Sequence, residues 1–253
     1  MENNINSSVV CPANHNLFHV KNKDNLLSGE SKNKFHTVVA QLLYLSKRIR
    51  PDISTAVSFL CTRVQHPNCN DENKLIHVLK YLYGTKNKTL ILEIDMNLKI
   101  NAYVDASWGI HPDGKSHTGI VVTLGRGPII ARSIKQKSIS LSSTEAELIA
   151  LTDSYNSILW LRLFLIEQGY NIEPVIIHQD NSAVLDLIRN GGGTSIRTRH
   201  FNIKHYAIKE KIDNNEIILK KCDTKEMVSD LLTKPLIGTL FKNHCNTLLG
   251  IKL

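Results

Sequence analysis

The sequence predicts an α/β layer fold: a mixed sheet with flanking helices, preceded by a small helical region. Three observations carry this reading. Up to Gly84 the apolar residues fall at helical spacing, and after it they gather in short runs broken by Gly, Pro and Asp. One long helical stretch follows the first runs. Strands and helices then alternate almost to the end, the pattern of helices layered on a sheet.

Residues 1–35 are polar, rich in Asn, Lys and Ser, and read as a linker. Helices are expected at 35–46, at 51–64 with the stripe Val57, Leu60, Cys61 and Val64, and at 71–83 with Leu75, Val78, Leu79 and Leu82. Gly84 is the stop of the third. Strands are expected at 89–95, 99–105, 117–124 and 128–134. A long helix starts with a capping box from Ser142 to Glu145 and stops at Gly169. A strand at 175–180 runs into a helix at 182–189 and a glycine triplet, Gly191 to Gly193. The triplet lacks the Gly-Lys-Ser/Thr ending of a phosphate-binding loop and reads as a hinge. The basic helical stretch RTRHFNIKHYAIKEKI precedes a strand at 216–222, and Thr224 is expected to cap a last short helix at 224–232, ended by Pro235.

With 253 residues the chain can bury a sizeable core, and 42% hydrophobic with 21% charged residues excludes a disordered class. It contains no apolar run of about eighteen residues, and its start, MENNINSS, lacks a signal-peptide pattern. Membrane and secretory readings fall, and an intracellular location is expected. Cys11, Cys61, Cys69, Cys222 and Cys245 are odd in number, without a CxxC pair, and read as reduced thiols. Cys61, His66, Cys69 and His77 fit no standard zinc spacing. A net charge of +8 points to a polyanionic partner, nucleic acid first.

Four carboxylates sit where this architecture can gather them: Asp105 on the first core strand, Glu147 near the start of the long helix, Asp180 at a strand's end and Asp230 on the last short helix. Packed closely, they cannot all ionise at neutral pH without a cation. Mg²⁺ suits such a set, and two ions about 4 Å apart would serve phosphodiester hydrolysis. Spacing alone leaves the set open to the bland reading of solvated surface acids. Asp180 is the best single candidate, because ligands of open sheets gather at strand C-termini.

The segments YLSKRIRPDISTAV, YVDASW, HTGIVVTL, SIKQKSISLSSTEAELIA, HQDNSAVLDL, RTRHFNIKHYAIKE and SDLLTKPL, in this order, resemble the carboxyl-terminal part of Pol polyproteins of copia-type LTR retrotransposons. The resemblance implies a ribonuclease H-like mixed five-stranded sheet at 89–236. It further implies a helical connection at 36–88, a remnant following the reverse transcriptase palm at 1–35, and a helical tail at 237–253. It implies hydrolysis of the RNA strand of RNA–DNA hybrids with two Mg²⁺ or Mn²⁺ ions, leaving a 5′-phosphate and a 3′-hydroxyl. Asp105, Glu147, Asp180 and Asp230 match the family's four metal ligands. Implied partners are the hybrid and the rest of the reverse transcriptase, in the cytoplasm, a virus-like particle or the nucleus. Ser107 and Ser195 stand where the family often has Asp and His. Tyr103-Val104-Asp105-Ala106 lacks the paired aspartates of a polymerase palm, so no polymerase activity is expected of this chain alone.

Arg197, Arg199, His200 and Lys204 read either as a phosphate track for the hybrid or as a solvated helix face. Glu145 and Glu147 diverge by about 200° on a helix, so only one can face the sheet. Glu147 heads the stripe Leu151, Tyr155 and Ile158 and is the expected ligand. Two other functions compete: a catalytically idle nucleic-acid-binding remnant, and an integrase-like DNA transferase.

Overall fold

The computed structural model describes residues 7–20, 25–190 and 199–251. Its elements in chain order are α1 (Gly29–Arg48), α2 (Ser54–Cys61), α3 (Cys69–Gly84), β1 (Glu93–Ile94), β2 (Asn101–Ser107), β3 (His117–Thr123), β4 (Gly125–Arg126) and β5 (Pro128–Lys135). They continue with α4 (Ser143–Glu167), β6 (Val175–Gln179), α5 (Ser182–Asn190), α6 (Arg199–Asp213), β7 (Ile217–Lys221) and α7 (Gly238–Leu248).

The main sheet has the order β5-β3-β2-β6-β7. β2, β3 and β5 run antiparallel, whereas β6 lies parallel to β2 and β7 parallel to β6. This mixed five-stranded sheet with helices on both faces is a ribonuclease H-like fold. Alternation along β2 and β3 splits the side chains between two cores. Ala102, Val104, Ile120 and Val122 pack with Leu148, Leu151 and Ile158 of α4. On the other face, Val121 joins Phe35 of α1, Leu60 of α2, Val78 of α3 and Leu248 of α7.

Several expected boundaries are corrected. α1 starts at Gly29, inside the stretch read as linker, because its polar first turns face solvent and Glu30 pairs with Lys34 at 3.3 Å. Leu17 and Phe18, in the same stretch, are buried, and Phe18 meets Phe59 edge-on at 5.3 Å. α2 is shorter than expected, a 3₁₀ turn at Pro51–Ile53 feeding eight helical residues. α3 begins two residues early, because Asn68 closes a reciprocal capping box with Asp71. Of the strand expected at 89–95 only β1 forms, paired with β4 outside the main sheet. The preceding backbone is used elsewhere, Ile91 N–H donating to the Leu249 carbonyl at 2.9 Å. Ser142 caps α4 as expected, but the Glu145 carboxylate accepts from Leu141 N–H at 2.6 Å rather than from Ser142. The short helix expected at 224–232 is two 3₁₀ turns, Thr224–Glu226 and Val228–Leu232, with Asp223 and not Thr224 as the cap. Met227, at ψ 84, breaks the helical path between them.

A buried ion pair locks the helices together. Arg50 donates Nε to Asp52 Oδ1 at 2.9 Å and Nη2 to Oδ2 at 2.8 Å, and Tyr81 adds its hydroxyl to Oδ2 at 2.6 Å. The carboxylate is thus satisfied by a bidentate guanidinium and a third donor, the condition under which a buried pair is tolerated.

Candidate active site

Asp105 lies near the C-terminal end of β2, opposite Gly119 of β3. The missing side chain at Gly119 leaves room for the turn Val228–Leu232: a Cβ there would lie 2.6 Å from the Ser229 carbonyl oxygen and 2.7 Å from Thr233 Cγ2. Resting on bare backbone, the turn delivers two side chains to the strand. Thr233 Oγ1 donates to Asp105 Oδ2 at 2.6 Å, and Asp230 is buried beside them. From the opposite side Thr55 of α2 donates its hydroxyl to the Leu231 carbonyl at 2.5 Å. The turn is pinned between sheet and helical region.

Glu147, in the first turns of α4, is 5% exposed and accepts from Gln179 Nε2 at 3.3 Å. Asp180 directly follows β6, and Thr224 donates to its Oδ2 at 3.0 Å. Asp105, Glu147 and Asp180 offer oxygens that all lie within 4.8 Å of one another. Burial first, then the charges of Asp105 and Asp180, push Glu147 well above the ordinary carboxylate range. Burial and Asp105 raise Asp180 as well. Glu147 and Asp180 thus resist ionising beside their charged neighbours, which is the electrostatic condition that a divalent cation relieves.

Asp230 adjoins the trio through Asp105 without being one of the three that meet within 4.8 Å. Its Oδ1 lies 2.7 Å from Lys234 Nζ. Burial, with Asp105 next, pushes Asp230 up to about 7, against the pull of Lys234. The structure therefore brings three of the four expected carboxylates into one cluster and pairs the fourth with a lysine. Glu145 stays at the helix start with Leu141 N–H, while Glu147 faces the cluster. Arg197 lies outside the described residues, as do Ser195 and the glycine triplet; Arg199, His200 and Lys204 fall on the first turns of α6.

Thr55, Gly119, Gln179, Thr233 and Lys234 were not singled out from sequence. Gln179 sits beside Asp180 in HQDNSA, and Thr233-Lys234 follow Asp230 in SDLLTKPL, so the flanks of the acidic residues held that signal. Thr55 and Gly119 act through contacts distant in the chain and left none.

No family model matches the chain. It is 31% identical over 247 residues to a retrovirus-related Pol polyprotein from transposon TNT 1-94 of Nicotiana tabacum, covering 97% of the chain and 18% of that protein. The corresponding protein from transposon RE1 of Arabidopsis thaliana is 33% identical over 215 residues, covering 84% and 14%. The chain is a homologue of copia/Ty1 retrotransposon Pol polyproteins. A truncated transposon Ty1-A Gag-Pol polyprotein of Saccharomyces cerevisiae shares 25% identity over 84% of the chain and 18% of its own length. The chain thus spans only a small part of the Pol polyproteins it matches. Among solved structures, LC11-RNase H1 in complex with an RNA/DNA hybrid covers 53% of the chain and 94% of its own, at 16% identity and a TM-score of 0.40. RNase H1 from the halophilic archaeon Halobacterium salinarum gives 17% and 0.37. No helix among the described residues is long and apolar enough to cross a membrane.

Proposed function

We propose that this chain is the ribonuclease H part of a copia-type Pol polyprotein, a metal-dependent endonuclease for the RNA strand of RNA–DNA hybrids. The observation that carries this reading is the trio Asp105, Glu147 and Asp180, drawn from three different elements to within 4.8 Å. The donor set suits a hard divalent cation: it is all oxygen, compact and mutually repulsive. Asp105, Glu147 and Asp180 would hold Mg²⁺, with Asp230 joining Asp105 as the fourth ligand. Two such ions, Mg²⁺ or Mn²⁺, would supply Lewis-acid activation of water and stabilise the leaving oxygen.

The chain's own groups supply the geometry. Thr233 fixes one Asp105 oxygen, Gln179 fixes Glu147 and Thr224 fixes Asp180, so the carboxylates need little reorganisation to meet a cation. The stretch with Arg197, Arg199, His200 and Lys204 would track hybrid phosphates. The nuclease domain would span 89–236, carried on the helices of 36–88, and the rest of the reverse transcriptase would deliver the hybrid.

The test is cleavage of a labelled hybrid with added Mg²⁺. Cleavage of the RNA strand that chelation abolishes is expected, and Asp105→Asn or Asp180→Asn should abolish it with hybrid binding nearly intact. Binding without cleavage by Mg²⁺- or Mn²⁺-supplied wild type would overturn the reading in favour of an idle remnant, and strand transfer of DNA would favour an integrase-like activity.

A further inference from the structure

One cation is built into the acidic cluster. Thr233 and Lys234 both fold back on the turn: Thr233 N–H donates to the Asp230 carbonyl at 3.2 Å and Lys234 N–H to the same oxygen at 3.1 Å. This single turn of backbone sends the two side chains to two different carboxylates. The Thr233 hydroxyl goes to Asp105 and the Lys234 ammonium to Asp230, at 2.6 and 2.7 Å. Burial disfavours the ammonium, yet Asp230 beside it, with Asp105 and Asp180 beyond, strengthens its hold on the proton. The lysine therefore lies in the field of three of the four acidic groups.

The two partners differ in freedom. The Asp230 side chain is 3% exposed and sits on a turn pinned from both sides, whereas the Lys234 side chain is 39% exposed. A lysine is a point charge on a flexible four-carbon stem, so it can swing into water while the carboxylate stays. A buried carboxylate without any cation is strongly disfavoured and otherwise takes up a proton, so whenever Asp230 is ionised a counterion has to stand beside it. A metal ion and an ammonium on the same oxygen repel each other. Both cannot keep it.

We propose that Lys234 is a positioning residue, the resident counterion of Asp230, and that it competes with a divalent cation shared between Asp105 and Asp230. This rests on the metal-site reading above and adds an order of filling. The trio Asp105, Glu147 and Asp180 contacts no lysine at ion-pair distance among the described residues and takes the first ion without displacing an ammonium. The second ion has to displace Lys234 first. The released ammonium stays within one side-chain length of the cluster, where a substrate phosphate is the next anion it meets.

The experiment is calorimetric titration of the whole chain with Mg²⁺, without nucleic acid, for wild type, Lys234→Gln, Lys234→Arg and Asp230→Asn. Wild type should bind in a tighter and a weaker step. Lys234→Gln should tighten the weaker step roughly tenfold, the scale of a charge-assisted contact removed, and leave the tighter step unchanged. Lys234→Arg should restore the wild-type pattern, and Asp230→Asn should lose the weaker step. Equal constants in wild type and Lys234→Gln would overturn the competition. Wild type that takes up no Mg²⁺ would instead overturn the metal site itself, a distinct outcome. Should Lys234→Gln not fold, ¹⁵N-lysine spectra of the wild type decide: the Lys234 Nζ signal, identified by its loss in Lys234→Arg, should shift with the weaker step. A signal that ignores Mg²⁺ or follows only the tighter step would refute displacement.

Discussion

Gly119→Ala tests whether the turn carrying Asp230 and Thr233 rests on bare backbone of β3. The added methyl would lie 2.6 Å from the Ser229 carbonyl oxygen, 2.7 Å from Thr233 Cγ2 and 3.1 Å from Leu232 Cβ. Ordinary contacts are about 3.5–4.0 Å, so the turn has to retreat by about 1 Å. The Thr233–Asp105 hydrogen bond, 2.6 Å in the native protein, would then open to roughly 3.6 Å and cease to be one. Overpacking costs about 1–3 kcal/mol, and a buried carboxylate that loses a donor about 1–3 more. The sum, about 2–6 kcal/mol, lowers the melting temperature by roughly 4–24 °C in a chain of this size. Thermal unfolding by circular dichroism measures it, with Thr233→Val reporting the lost hydrogen bond alone. Hybrid cleavage, assayed well below both melting points, should fall at least tenfold for Gly119→Ala, because Asp230 moves with the turn. A variant melting within about 1 °C of wild type and cutting at the full rate would show that the turn is not seated as described.

Glu147→Gln should eliminate cleavage, whereas Glu145→Gln should retain it and cost about 1 kcal/mol or less, as loss of a helix-end contact does; parallel cleavage and melting assays separate the two. Hybrid affinity should fall steeply with salt, and replacing Arg197 and Arg199 with Ala should flatten the log–log slope by up to about two units; an unchanged slope assigns both to a solvated face. Asp230, held at about 7 against an ordinary 3.8, keeps a proton in the folded state that the unfolded chain has already lost. Its contribution to stability is therefore present at acid pH and lost as pH rises through about 7. Without metal, the melting temperature of wild type minus that of Asp230→Asn should fall between pH 4 and 8. The buried imidazoles of His111 and His117, held near 4 and 3, act in the opposite direction but cancel in this difference. A flat difference would refute the shift.

The strands that matter were legible because β2 and β3 are driven by their own alternation, and Asp105 could be placed as soon as its strand was. The choice of Glu147 over Glu145 was legible too, since helical angle alone separates them. Alternation in 89–95 misled, because pairing needs a partner and that segment has none in the main sheet. The turn at Val228–Leu232 was legible as helical but not as 3₁₀, and its seat on Gly119 depends on a strand more than a hundred residues earlier. Lys234 was quoted within a motif yet not weighed, because its role follows from where Asp230 ends up, which no local pattern encodes.

The two faces of the sheet are not equally portable. The face under α4 is filled from within the segment that carries the strands, Ile100 to Ile217. The opposite face borrows its filling from both flanks, from Leu17 and Phe35 on one side to Phe241 and Leu249 on the other. A chimaera that moved only β2 to β7 and the helices between them into another protein would carry an intact half-sandwich with its second half stripped. The turn Val228–Leu232 would lose Thr55, a strut that reaches it from α2. Transfer of this sheet to another protein is therefore physically cheap only when the helices before it and the helix after it travel along.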